Sequence, residues 1–497
     1  MRPFAFTGRL PRLRRNLLAL VAGLCVCFAM PPWGWWPLAI VGIALWCALL
    51  VGVPRRGRWW VGVCVGLSWF LPSTLWMMKF SPFGWPFGVA VWFPATMGLV
   101  SMLAPQRTPG LALVGAVTLS EWFRWHAPFG GVPLSSLSMT QARGPLLLTA
   151  RWFGTLGVTM LVAALGVVLA YLWRSPQRAK GWAALLGIVV CAISASVAPH
   201  GHSTRTISAA AVQGGGAQGT IGAYTDYQLV LQRHLDAARH GIEQPVDLVV
   251  MPENIVNIRG SFEGSVEQQK FTQLAKDLDA VVLAGIVDDE GSESKFFNYS
   301  AAIGPDGIVQ DRYDKHRRVP FGEYVPMRSL IAPLAPDQLP KRDGNVGVHV
   351  AVLETSVGRI GCAISWETFF PRRIRESIHH DAEILTNPTN GASYWLSQVQ
   401  TQQIASSTLR AVESGRWMIQ AAPTGMSAII DPNGNVVARS GIGESVALQA
   451  TVEMREGLTL AMVWGEVPVI LGSILCCFLA WRANGRAQRE IGEHSPR

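Results

Sequence analysis

Apolar residues in this chain gather into long runs, at residues 17–30, 37–53, 59–78, 89–104, 111–125, 147–173, 182–197 and 458–481. Most approach the ~20 residues that an α-helix needs to cross a bilayer. The runs at 17–30 and 111–125 are shorter, a length that also fits a buried core helix or a re-entrant segment. Between the last two runs the pattern changes. Residues 200–456 are polar overall, with short β-rich runs at 206–213, 248–252, 280–287, 299–304, 347–354, 359–364, 384–387 and 417–422. Helical stretches separate them, such as 398–414 with Val399, Ile404, Leu409 and Val412. Strands alternating with helices predict a layered α/β domain, and Gly304-Pro305-Asp306-Gly307 and Asp431-Pro432-Asn433-Gly434 are hairpin signals. The expected architecture is a polytopic α-helical membrane protein of about eight transmembrane helices with an inserted α/β domain.

Composition agrees with a membrane protein. The 497 residues are 49% hydrophobic, and 20 are Trp, clustered beside the apolar runs (Trp33, Trp35 and Trp36; Trp59 and Trp60) as indoles cluster at bilayer interfaces. A net charge of +9 would suit a nucleic-acid partner if it lay on one folded face. Instead the basic residues sit between apolar runs: before the first, at Arg55, Arg56 and Arg58, at Arg107, at Arg174, Arg178 and Lys180, and at the C-terminus. Loops 31–36, 81–87 and 126–144 are nearly free of Lys and Arg. By the positive-inside rule the basic segments are cytoplasmic, and residues 200–456 lie outside the cell's inner membrane. The predicted domains are therefore a membrane domain at 1–199, an extracytoplasmic domain at 200–456, a final transmembrane helix at 457–481 and a cytoplasmic tail at 482–497. The first run has the basic flank of a signal peptide, but Ala29-Met30-Pro31-Pro32-Trp33 offers no small-x-small cleavage pattern, so it reads as retained.

Seven of the eight cysteines fall in the apolar spans and only Cys362 in the polar domain, so no disulfide forms within that domain. The histidines have no metal-ligand spacing, and no metal is expected. Three short signatures carry the candidate chemistry: Val249-Val250-Met251-Pro252-Glu253-Asn254, Tyr313-Asp314-Lys315-His316-Arg317-Arg318-Val319-Pro320-Phe321-Gly322-Glu323-Tyr324, and Ile360-Gly361-Cys362-Ala363-Ile364-Ser365-Trp366-Glu367. Alone, each has an ordinary reading: a strand-end carboxylate, a surface lysine, one serine of many.

Together, in this order and spacing, they resemble the nitrilase superfamily, whose Glu, Lys and Cys each close a strand of an αββα sandwich. The stretch from Lys315 through Phe321-Gly322-Glu323-Tyr324-Val325-Pro326, and a domain placed before a last membrane helix, more narrowly resemble the apolipoprotein N-acyltransferases. That resemblance implies Glu253 as general base, Lys315 as oxyanion partner, Glu323 as a supporting loop carboxylate, and Trp366 and Glu367 as the aromatic and acidic residues after the nucleophile. It implies no cofactor, and as partners a phospholipid acyl donor, diacylglyceryl-modified apolipoproteins and the membrane.

The chain departs from the family at the nucleophile, where Cys-Tyr-Glu is replaced by Ser365-Trp366-Glu367. If 359–364 is a strand, Gly361, Ala363 and Ser365 share a face and Cys362 points away, as a packing residue. Ser365 would then form an oxyester. Asn387-Pro388-Thr389-Asn390-Gly391 also departs from the family's Asn-Asp-Ala-Trp-Phe, with Asn390 either at the family's Asn position or a simple turn residue. Three functions stay open on these residues: fatty acyl transfer to lipoproteins, a nitrilase-type amidase, and a non-catalytic lipoprotein-binding scaffold.

Overall fold

The computed structural model describes residues 10–80, 84–217, 225–334, 339–391 and 398–493. The chain divides into two compact units, one of residues 1–78, 82–198 and 464–497, the other of 79–81 and 199–463.

The first unit is helical. Helices Arg12–Ala29, Pro37–Leu50, Arg55–Ser73, Phe93–Leu103, Pro109–Arg124, Ala150–Arg174, Ala179–Ser194 and Val467–Glu493 fall on the apolar runs. Four stretches are both long and apolar enough to cross a membrane, Pro86–Leu103, Leu147–Arg174, Ala179–Val197 and Val467–Arg486. Pro37–Leu50 is apolar but shorter. The expected final span at 457–481 starts later, because Gly465 takes φ +62 and separates a short turn of helix at Leu460–Trp464 from the helix that begins at Val467. That helix also continues to Glu493, through most of the stretch expected to be a tail. Helix Ala179–Ser194 buries only Gly181 and leaves Leu186, Val190 and Ile193 exposed, a surface that water would not favour but lipid would.

Inside this apolar unit lies a buried ion pair. The Glu121 carboxylate accepts hydrogen bonds from the Thr159 hydroxyl at 2.5 Å and the Leu137 N–H at 2.8 Å, and Arg124 approaches it at 3.4 Å. The Arg124 guanidinium sits over the rings of Phe70 and Phe93. Charged groups in such a place persist only when paired. Here the pair fixes the irregular segment at Leu137–Gln141, all of it buried, against the helices.

The second unit contains strands β1 (His202–Gln213), β2 (Leu248–Val250), β3 (Val256–Asn257), β4 (Val281–Asp288), β5 (Lys295–Ile303), β6 (Val309–Asp314), β7 (Asp343–Gly344), β8 (Val352–Thr355), β9 (Gly358–Cys362), β10 (Ile384–Pro388), β11 (Met418–Ala421), β12 (Ala428–Ile430), β13 (Val436–Arg439) and β14 (Val446–Glu456). They form two sheets, ordered β14-β1-β2-β4-β5-β6 and β13-β12-β11-β10-β9-β8. In the centres β1, β2 and β4, and likewise β9, β10 and β11, run parallel. The two turn signals read from the sequence join β5 to β6 and β12 to β13.

Strand alternation sorts the side chains into layers. Ala209, Ala211, Leu248, Val250, Val281 and Leu283 meet Ile360, Cys362 and Ile384 between the sheets. Ala210, Val212, Val249, Val282 and Ala284 face helices Tyr227–Gly241 and Val266–Leu278 through Leu231, Leu235, Phe271 and Leu274. Leu385 and Met418 face helices Pro371–His379 and Gln398–Ser414 through Ile374, Ile378 and Ile404. The result is the four-layered αββα sandwich. Central strands buried on both faces explain why their sequences read as unbroken apolar runs.

Candidate active site

Glu253, Lys315 and Ser365 each follow the C-terminal end of a strand, respectively β2, β6 and β9. Chain ends at that edge of a sheet are free of ladder hydrogen bonds, so they are where an α/β fold can aim side chains.

Glu253 lies in a tight turn 5% exposed, and its backbone is packed against β4. A Cβ at Gly285 would lie 2.0 Å from the Pro252 carbonyl oxygen and 2.7 Å from Glu253 Cα, so only glycine allows this approach. Lys315 Nζ donates to Glu253 Oε1 at 2.7 Å and to Glu323 Oε1 at 2.6 Å. Asn298 Nδ2 donates to the same two oxygens, at 2.8 and 3.2 Å, while its main-chain carbonyl accepts the Lys315 N–H. Glu253 Oε2 has no hydrogen-bond partner among the described residues. Glu323 is held from its own loop, its Oε2 accepting the Val319 N–H at 2.8 Å.

Burial opposes the charge on Lys315, but the carboxylates of Glu253 and Glu323 outweigh it and hold the amine above its usual value. It is a fixed cation. Burial raises the Glu323 carboxyl above the ordinary range, with the Lys315 ammonium opposing that rise and Glu253 adding to it. One cation thus serves two carboxylates, with Asn298 sharing the load.

Ser365 opens a short 3-10 turn, Ser365–Phe369, immediately beyond β9. Its φ is +53, a left-handed conformation that costs a non-glycine residue roughly 1–2 kcal/mol. Asn387 Oδ1 accepts the Ser365 N–H at 3.1 Å, and the Thr389 hydroxyl donates to Ser365 Oγ at 3.2 Å. Asn387 is itself fully buried, donating to Ser407 Oγ and Gln420 Oε1. Because β9 ends at Cys362, the alternation argument does not reach Ser365; a strained turn, not a strand face, presents it. Cys362 lies between the sheets, 1% exposed, and burial pushes its thiol up to about 12. No useful thiolate exists there at neutral pH.

Glu367 joins the two strand ends. Fully buried, its carboxylate accepts the N–H groups of His316, Arg317 and Ile364, each at 2.9 Å, and the Tyr313 hydroxyl. One side chain therefore ties the backbone just after Lys315 to the backbone just before Ser365. Trp366 packs edge-on against Phe369 and Phe370 and is 8% exposed. Asn390 is partly buried just beyond β10, and Asn387 and Thr389 hydrogen-bond to Ser365. Asn387 lies in the 387–391 stretch, where Asn390 is the expected site residue, and Asn298 carries no chemical signature in the sequence. We expect Glu367→Gln to destabilise the protein by on the order of 2–4 kcal/mol, because its amide would meet N–H donors head-on inside the fold. Thermal unfolding in detergent measures this, and a variant as stable as the parent would mean that the carboxylate does not tie the two strand ends together.

Among the described residues no cluster of His, Cys, Asp or Glu could hold a metal. The site thus offers a carboxylate with one oxygen uncommitted among the described residues, a fixed ammonium and a strained serine, the parts that acyl transfer needs.

The carbon-nitrogen hydrolase family profile matches residues 208–456, and the apolipoprotein N-acyltransferase N-terminal domain profile matches residues 22–168. Curated relatives include apolipoprotein N-acyltransferases from Ralstonia nicotianae, 30% identical over 95% of this chain and 94% of that one, and from Mycolicibacterium smegmatis, 28% identical over 96% and 87%. Among solved structures, a member of branch 10 of the nitrilase superfamily from Saccharomyces cerevisiae matches with TM-score 0.39 and 21% identity, over 50% of this chain and 91% of that one.

Proposed function

This chain belongs to the apolipoprotein N-acyltransferase family within the carbon-nitrogen hydrolases, and we propose that Glu253, Lys315 and Ser365 are the groups with which it carries out acyl transfer. It is an acyltransferase of lipoprotein biosynthesis. The donor is a membrane phospholipid and the acceptor the α-amino group of the diacylglyceryl-modified N-terminal cysteine of an apolipoprotein.

In the first step Ser365 Oγ attacks the ester carbonyl of the donor while Glu253 Oε2 takes the hydroxyl proton. Lys315 Nζ faces the oxyanion of the tetrahedral intermediate, already charged and so in need of no reorganisation. Collapse breaks the bond to the glycerol oxygen, Glu253 returns the proton to it, and a lysophospholipid leaves behind an oxyester on Ser365. In the second step the acceptor amine attacks that ester, Glu253 takes its proton and passes it to Ser365 Oγ, and an amide remains. The observation that supports this reading most is the Lys315 ammonium held between the carboxylates of Glu253 and Glu323. Incubating the purified protein with a chain-labelled phospholipid tests it: mass spectrometry should find one acyl group, on Ser365, and transfer to a diacylglyceryl peptide should remove it. An adduct elsewhere, or none, overturns the assignment.

We place all eight apolar helices across the bacterial inner membrane and the unit that carries the site, 200–456, on its outer side; the alternation of basic and uncharged loops supports this. An impermeant thiol reagent added to intact cells should label Glu293→Cys, at an exposed position of the α/β unit, and spare Lys180→Cys. The reverse pattern would invert the topology.

A further inference from the structure

Two consecutive arginines follow His316, and each stacks on a different aromatic ring. The Arg317 guanidinium lies 4.0 Å over the ring of Phe370, which ends the turn that Ser365 begins. The Arg318 guanidinium lies 4.4 Å over the ring of Tyr324, the residue after Glu323. Both side chains are half-buried, and the main chain between them and Lys315 is fixed by Glu367 through the Arg317 N–H. Arg318 donates to the Gly344 carbonyl at 2.9 Å and forms no ion pair among the described residues. The nearby Asp343 carboxylate is instead engaged by Arg328 at 2.5 Å.

A guanidinium stacked on an aromatic face has its plane fixed, and its hydrogen-bonding edge then presents a rigid fork suited to a phosphate. Lysine could not do this, since its ammonium is a point charge without a plane. We propose that Arg317 and Arg318 form a two-sided clamp for an anionic phosphodiester, the headgroup phosphate of the acyl donor, one guanidinium on the Ser365 side of the site and the other on the Glu323 side. The proposal rests on the acyl-transfer reading above and adds to it a reason for choosing a phospholipid over a neutral ester. During the first step the clamp holds the glycerol phosphate while the acyl bond breaks, so the lysophospholipid is retained until its phosphate is released. The clamp selects the donor and takes no part in bond making.

The test compares acylation of the full-length protein in detergent micelles by phosphatidylglycerol and by p-nitrophenyl palmitate, an acyl ester with no phosphate. For the double variant R317Q/R318Q the ratio of the two rates should fall at least about tenfold, as expected for losing charge-assisted hydrogen bonds to a phosphate. R317K/R318K, which keeps the charges but not the forks, should give an intermediate ratio. Lysophosphatidylglycerol should compete with the phospholipid donor, whereas millimolar inorganic phosphate should not. An unchanged ratio in R317Q/R318Q overturns the clamp, and so does inorganic phosphate competing as well as the lysolipid, which would mark a site for the free ion. A wild-type protein acylated by neither donor overturns the acyl-enzyme reading itself and the clamp with it, a result distinct from acylation by both donors without arginine dependence.

Discussion

Ser365→Ala removes the acyl adduct and lowers turnover by at least about a thousandfold, the scale of losing an enzyme's covalent nucleophile. The effect is on chemistry and not on folding, because among the described residues the hydroxyl accepts only the Thr389 hydroxyl and the residue's main chain is held independently by Asn387. Cys362→Ala keeps the adduct. Its thiol is walled off between the sheets, and the substitution removes one buried sulfur with its packing and its contacts to Thr386 and Ser300. Ser365→Cys retains or raises acylation, since a thiol ionises more readily than an alcohol and would stand at the same place. Labelled phospholipid and mass spectrometry distinguish the three variants, and an adduct lost in Cys362→Ala but kept in Ser365→Ala would move the chemistry to the buried thiol.

Lys315→Met and Glu253→Gln each reduce acyl transfer by at least about a hundredfold, as expected for losing an oxyanion partner or a base. Their effects on stability differ. Glu253→Gln removes one of two carboxylates competing for a single cation and leaves Lys315 paired with Glu323. Lys315→Met strips the cation from both, and breaking a buried pair in this way costs on the order of 3–5 kcal/mol unless the carboxylates take up protons. The double variant Lys315→Met/Glu323→Gln, with one carboxylate fewer to accommodate, recovers part of that stability and none of the activity. Unfolding midpoints measured beside single-turnover acylation separate the two effects. Near-normal turnover in either single variant would remove Glu253 and Lys315 from the mechanism.

Much of this was legible in the chain because the central strands are buried on both faces and the chemical groups follow them directly. Residues 398–414 were read as a helix and form one with the same bounds. Strand β14 was not read, although Leu448, Ala450, Val452 and Met454 alternate with Gln449, Thr451, Glu453 and Arg455 as a strand requires. Its Ala, Leu, Gln, Glu, Met and Arg are strong helix formers, and only pairing along β1 overrides that preference. Strand β6 was hidden in a charged sequence, Val309–Asp314, that sits at the edge of its sheet. In the site, the order Glu253, Lys315, Ser365 was readable, but the hydrogen-bonding partners were not. Asn298 reaches Glu253 across 45 residues of sequence and Asn387 reaches Ser365 across 22. Such contacts are set by sheet register, which a single sequence does not display. The Glu121–Arg124 pair was passed over for a similar reason, lying in a run short enough to be ambiguous until its partners Thr159 and Leu137 were brought to it.

The fixation of position 365 bears on how such an enzyme can change. Asn387 holds the N–H of residue 365 and Glu367 the N–H of residue 364, so the frame grips the main chain and is indifferent to what the side chain carries. Placement and reactivity are thereby inherited separately. Ser and Cys codons can differ by one base, and an exchange at this position alters the intermediate, oxyester or thioester, without rebuilding the scaffold that aims it. A lineage can therefore move between the two chemistries in one step, trading the speed of a thiol for the resistance of an alcohol to oxidation.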